Sequence, residues 1–186
     1  MSNINGPTIE ELKHENDLLF EAFSEESDRG VALVAASFFD ATLERLLRSR
    51  FSSRPDKHVR FVEPLFEALA PLSTFSAKIR LCYAIDLMNE SMARDLDSIR
   101  QIRNKFAHTL QPKAFGDRDI ASIVDQLVAY TKTNNGLRTI PPEKLSRVKF
   151  DLTCSRIGAL LQAKVVVQQS EMPVEMKQSF MLSNDL

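Results

Sequence analysis

The sequence predicts an all-α fold, a single-domain bundle of about six to eight helices. Three observations carry this reading. Apolar residues recur at three- and four-residue spacing along most of the chain. No stretch alternates apolar and polar residues for long enough to make a strand. Only 5 glycines punctuate 186 residues, and neither a glycine-rich phosphate loop nor an internal repeat occurs. Hydrophobic residues make up 44% and charged residues 26%, ordinary proportions for a globular chain, and 12 Phe supply core bulk in the absence of Trp. The length suits one domain with a substantial core.

Residues 1–7 read as a flexible leader, 8–169 as the helical domain and 170–186 as a C-terminal tail. The first helix opens at Thr8, an N-cap, with Glu10 and Glu11 in the first turn, where the helix dipole favours acids. Leu12, Leu19 and Phe23 give it an apolar side up to about Glu26. A second helix begins near Ser27-Asp28, with Asp28 as the N-cap candidate, and runs to about Phe51. Ala32, Ala35, Ala36, Phe39, Leu43, Leu46 and Leu47 form its buried stripe. Val31 to Phe39 is apolar on nearly every face, so this helix is expected at the centre. Its charged side holds Asp40, Glu44, Arg45 and Arg48. Two readings stand: a solvated face with pairs such as Glu44–Arg48, or Asp40 or Glu44 as the buried partner of Arg103.

Ser52 to Val59 is a polar connector broken by Pro55. A short helix is expected from Phe61 to Ala70, ended by Pro71. Ser73 then caps a helix that buries Phe75, Ile79, Cys82, Tyr83 and Leu87. Asn89 caps the next, and so short a connection makes the two antiparallel neighbours. A further helix is expected from Asp117 to Thr133, packed through Ile120, Ile123, Val124, Leu127 and Val128 and stopped at Asn134-Asn135-Gly136. Thr139 to Lys144, with Pro141-Pro142, reads as a loop. Phe150, Cys154, Ile157, Leu161 and Val165 mark a last long helix to Gln169. Beyond Ser170, Pro173 leaves either an appended helix or a partly ordered arm.

Net charge is −1, so no global basic field draws the chain to nucleic acid or an anionic membrane. Arg45 to Arg60 is the best candidate for a local basic patch. The two cysteines, Cys82 and Cys154, read as buried free thiols. No metal-ligand set and no cofactor motif is present, so neither is expected. The start lacks a signal-peptide pattern, and no apolar run approaches the ~20 residues of a membrane span. The expectation is a cytoplasmic protein with no membrane contact.

Met92 to Gln111 is the most informative stretch. Met92, Leu96, Ile99, Phe106 and Leu110 make one apolar stripe, and Arg103 falls within it. A guanidinium there needs a partner or belongs to a site. Asn104 and His108 stand four residues apart on one face, and Asp97 projects to the same side, where it is a candidate to orient the imidazole. Arg103, Asn104, His108 and Asp97 are therefore the candidate functional cluster. Arg103 and His108 lie about 140° apart on an ideal helix, which weakens them as a catalytic pair within one chain. No catalytic residue is assigned, and the structural alternative is a hydrogen-bonded core cluster.

Three stretches carry a resemblance. Asp28-Arg29-Gly30-Val31-Ala32-Leu33 with Ala36-Ser37-Phe38-Phe39-Asp40 and Leu43-Glu44 is similar to the first signature of the mannitol operon repressor (MtlR) family. Pro71 to Ile79 resembles its second signature and Ile99 to His108 its third, in the family's order. The resemblance implies a cytoplasmic all-helical regulator that represses mannitol or sugar-alcohol utilisation genes. It implies action through a protein partner, since such proteins show no DNA-reading module, and direct DNA binding stays open. Arg103, Asn104 and His108 also resemble the helix motif of HEPN domains, which implies a HEPN-like core and a homo-oligomer, a dimer. The expected function is a non-enzymatic transcriptional regulator. The alternatives are a metal-independent ribonuclease of HEPN type, and a non-catalytic adaptor or antitoxin-like binding module.

Overall fold

A computed structural model describes residues 9–51, 54, 57–111, 113–131, 137, 139–170 and 173–182. Seven α-helices appear among these residues: α1 (Ile9–Glu25), α2 (Asp28–Arg48), α3 (Phe75–Ala84), α4 (Glu90–Ala107), α5 (Arg118–Val124), α6 (Pro142–Gln169) and α7 (Val174–Leu182). A π turn (His58–Val62) and a 3-10 turn (Glu63–Leu65) lie between α2 and α3. No strand occurs among the described residues.

α2 is central, as its apolar Val31–Phe39 stretch requires. It packs against α1, α3, α4 and α6. Val31, Ala32, Ala35, Phe39, Leu43, Leu46 and Leu47 are fully buried. The alanines let α4 approach closely, and Leu96, Ile99, Ile102 and Phe106 of α4 complete the core. Each such large side chain contributes about 1.5–3 kcal/mol by leaving water. Phe115 meets Phe106 edge-on at 5.2 Å and Phe150 at a tilt at 4.6 Å between centroids, joining α4, the loop before α5 and α6.

The helix starts are locally encoded. Ser27 caps α2 by accepting from the Gly30 N–H, and Thr74 caps α3 by accepting from Ala77. The caps are therefore Ser27 rather than Asp28, and Thr74 rather than Ser73, one residue off in each case. Asn89 caps α4 through the Met92 N–H, as expected. The proposed Thr8 cap and the 1–7 leader lie outside the described residues, as does the Asn134-Asn135-Gly136 stop.

Several elements differ from expectation. α2 ends at Arg48 rather than Phe51. Phe61 to Ala70 is not a helix. Pro64 has no N–H to donate to the ladder, and the chain tightens into the 3-10 turn and then into turns closed by bonds such as Ala70 N–H to the Glu67 carbonyl at 3.0 Å. The helix expected from Asp117 to Thr133 stops at Val124. The buried carboxylate of Asp95 accepts the Val128 and Ala129 N–H groups at 2.9 and 2.8 Å. A continuous helix would have spent those donors on the carbonyls four residues back. Val128 is consequently exposed, as are Tyr83 and Leu110, which the helical pattern had placed inside. α6 starts at Pro142, within the stretch read as a loop. Proline suits the first helical position because its missing N–H would have no intrahelical partner there.

Beyond Ser170 the chain forms α7, which packs on α6. Met181 is buried, Asn89 Nδ2 donates to the Leu182 carbonyl at 3.2 Å, and Lys177 Nζ reaches the Gln168 carbonyl at 3.0 Å. The buried Lys164 ammonium donates to the carbonyls of Phe180 and Met181, and burial pushes its pKa down to about 8.

Candidate functional site

The C-terminal end of α4 gathers the residues that the sequence singles out. Arg103 is half-buried, and its Nη1 donates to Asn104 Oδ1 at 3.1 Å. His108 is exposed at the C-cap, where its backbone N–H donates to the Asn104 carbonyl at 3.0 Å. Its imidazole makes no hydrogen bond among the described residues. The Arg103 and His108 side chains share no hydrogen-bond partner among the described residues, and five residues apart on an α-helix they stand about 140° from each other.

Asp97 is not a partner of His108. Eleven residues separate them, about 16 Å along a helix axis. Asp97 instead accepts from Arg100 Nε at 2.8 Å and Gln101 Nε2 at 2.9 Å. Burial raises its carboxyl, but these two bonds outweigh burial and hold it below the ordinary range. Asp97, Asn104 and His108 still share one side of α4, spread along it rather than clustered.

Arg103 does not meet Asp40 or Glu44. Their cation is Lys78 of α3, which is 3% exposed. Its Nζ lies 3.0 Å from Asp40 Oδ1 and 2.7 Å from Glu44 Oε2. The charged side of α2 faces α3, whereas α4 packs on the apolar stripe, so Arg103 has no route to these acids. Burial raises the Glu44 carboxyl, yet the bonds from Lys78 and Arg48 prevail and lower it. The network continues from Arg48 to Glu63 at 2.8 Å and from Glu63 to His58 at 3.1 Å. His58 thus closes the network at its far end. An open groove of about 460 Å³ runs along this side, lined by Ser37, Asp40, Ala41, Glu44, Arg45 and Arg48.

Two further links tie the first signature to the rest of the bundle. Arg29, exposed at the start of α2, reaches the carbonyls of Thr109 and Ala107 at 3.4 and 3.5 Å. A cation there complements the negative end of the α4 dipole. Asp28 accepts the Phe115 N–H at 2.8 Å and Arg147 Nη1 at 2.7 Å. Arg147 also donates to the Phe23 carbonyl at 2.6 Å and pairs with Asp151 at 3.0 Å. Burial pushes the Asp151 carboxyl up to about 6 despite Arg147. Sequence reading missed Arg147, Asp151, Asp95 and Lys78. The only available signal was a charged residue at an apolar helical position, and Arg103 carried that signal more visibly.

Lys105 and Lys113 share Asp119 at 3.2 and 2.6 Å on the outer surface near this end. Both cysteines are free and buried, and burial pushes their thiols well up, so neither is an activated nucleophile. No group of three His, Cys, Asp or Glu suited to a metal ion occurs among the described residues, and no helix among them is long and apolar enough to cross a membrane.

Comparison with known proteins bears on this arrangement. The fold is similar to a chain in the X-ray structure of the MtlR–HPr complex from Escherichia coli, with a TM-score of 0.67, 17% identity, and coverage of 81% of this chain and 99% of that one. It is equally similar to the crystal structure of a possible transcriptional regulator, YggD, from Shigella flexneri, with a TM-score of 0.67, 17% identity, and coverage of 78% and 97%. No curated protein matches the chain. The family model described as mannitol repressor matches residues 14–176, which include all three signature stretches. The chain therefore belongs to the MtlR family, the mannitol repressors.

Proposed function

We propose that this protein is a transcriptional regulator of mannitol or sugar-alcohol utilisation genes and acts by docking on a protein partner. The family match over residues 14–176 carries the reading. The shared fold with a chain of the MtlR–HPr complex supports HPr as the kind of partner. The side of α4 bearing Asp97, Asn104 and His108, with Arg103 and Arg29 beside it, is the surface offered for docking. Its groups are hydrogen-bonded into place but leave His108 open to solvent. A homodimer acting in a cytoplasmic setting is part of this reading, with no chemical step assigned to the chain.

The test is calorimetric titration of the purified protein with HPr from the same organism, alongside light scattering for the dimer. Binding in the micromolar range or tighter, weakened at least tenfold by His108→Glu, supports the proposal. Absence of binding to HPr, with intact folding, refutes HPr as the partner. Binding that ignores His108→Glu moves the docking surface away from α4.

A further inference from the structure

The first half of α4 borders a cavity of about 60 Å³ that the docking side does not use. Asp95 lines it, thirteen residues and about 20 Å along the helix axis from His108. This acid is only 2% exposed. Its Oδ1 accepts the Val128 N–H at 2.9 Å and its Oδ2 the Ala129 N–H at 2.8 Å. The two bonds fix the orientation of the carboxylate, but they do not compensate its charge. No cation pairs with Asp95 among the described residues, and burial raises its carboxyl. Each oxygen also keeps a second lone pair that receives no donor from those residues.

A buried acid without a cation, set beside a cavity, marks a group placed to meet a ligand. The rest of the lining narrows the chemistry. Met92 and Leu160, 3% and 4% exposed, supply an apolar wall. Ser91 adds a hydroxyl and Arg156 a guanidinium. Asp95 repels an anion, and an amine would have to share the space with Arg156. A neutral ligand meets neither penalty. It needs hydroxyl donors for the carboxylate and C–H surface for Met92 and Leu160. The space equals the share of two waters, at about 30 Å³ each, and two hydroxyl-bearing carbons fill it. A sugar ring is too wide for that room, whereas the end of an open chain is not.

We propose that this cavity binds the terminal vicinal diol of a small linear polyol, with one hydroxyl donating to each oxygen of Asp95. The diol follows from the lining alone. That the ligand is a sugar alcohol rests on the regulatory reading above. Bound there, the ligand would bridge α4, α6 and the chain that follows α5, all of which line the cavity.

The experiment is a ¹H–¹⁵N and methyl NMR titration of the full chain with 1,2-propanediol, 1,3-propanediol, D-mannitol and ethylammonium. So few buried atoms give millimolar affinity at best, so each ligand is added to about 200 mM. The Val128 and Ala129 amides, which report on Asp95 directly, should shift saturably with 1,2-propanediol and D-mannitol. They should not respond to 1,3-propanediol, whose hydroxyls stand one carbon too far apart. Asp95→Asn, read at the Leu160 methyl groups, should weaken binding at least tenfold. Because that variant also loses an acceptor for one amide, Ser91→Leu serves as the second. It crowds the cavity from a partly exposed position, should weaken binding as much, and should leave the melting temperature unchanged. The proposal is overturned by the lack of any saturable shift, by an equal response to 1,3-propanediol, by a stronger one to ethylammonium, or by indifference to Ser91→Leu. A response to 1,2-propanediol without one to D-mannitol keeps the diol site and removes its link to sugar alcohols. None of these results depends on HPr.

Discussion

Lys78 of α3 places its ammonium 2.7 Å from Glu44 of α2, with only 4% of the lysine side chain exposed. This ion pair, extended to Asp40, engages the two acids that one of the two sequence readings gave to Arg103. Its carboxylates keep partial contact with water, 33% for Asp40 and 28% for Glu44, so desolvation falls mainly on the lysine. That arrangement suits a pair that joins two helices without burying both charges.

Lys78→Met should lower stability by about 2 kcal/mol, below the 3–5 kcal/mol typical of fully buried pairs because the two orphaned acids can rehydrate. Arg103→Ala should cost under about 1 kcal/mol, since a half-buried arginine bonded to its neighbour Asn104 has little to lose. Urea denaturation of both variants checks the order. A larger loss for Arg103→Ala would contradict the pairing described here.

Asp151 links stability to pH. Its carboxyl is pushed up to about 6 in the folded protein from the ordinary 3.8, by burial first. The folded state then holds a proton that the unfolded state releases between those values. Stability from this group therefore rises as pH falls from about 6 toward 4, and is lost as pH rises through 6. Asp151→Asn removes the titration. Its melting temperature relative to wild type should be higher at pH 7.5 than at pH 4.5, and a difference that stays flat across that range would refute the linkage.

Asp95 tests why α5 is short. Asp95→Ala leaves the Val128 and Ala129 N–H groups without their acceptor and should cost about 2 kcal/mol. Amide exchange of residues 126–131 should rise in the variant more than that of the α2 core. Burial also raises the Asp95 carboxyl, the two backbone bonds offsetting it only in part.

The helical periods of α2 and α4 were legible because their apolar stripes are long, and Leu43, Leu46, Leu96 and Ile99 are all fully buried where the spacing put them. The Asn89 cap was legible because its chemistry is local. The end of α5 was not, since Asp95 lies 33 residues before the amide it captures. Tyr83 and Leu110 fit a helical repeat, but periodicity does not say where a neighbouring helix stops, and both are exposed. At the candidate site, the face shared by Asn104 and His108 follows from their spacing. The separation of Asp97 from His108 also follows from it, once rise per residue is counted together with rotation.

By itself, then, the sequence determined the all-α class, the centrality of α2 and the three family signatures, because periodicity, capping and motif order are properties of neighbouring residues. Only the tertiary structure decided which charges meet: Lys78 with Asp40 and Glu44, Arg147 with Asp28 and Asp151, Arg29 with the end of α4. The physical reason is range. A helix face is set within a few residues, whereas the partner of a buried charge depends on which helices pack and how far each extends, and that is resolved only when the whole core closes.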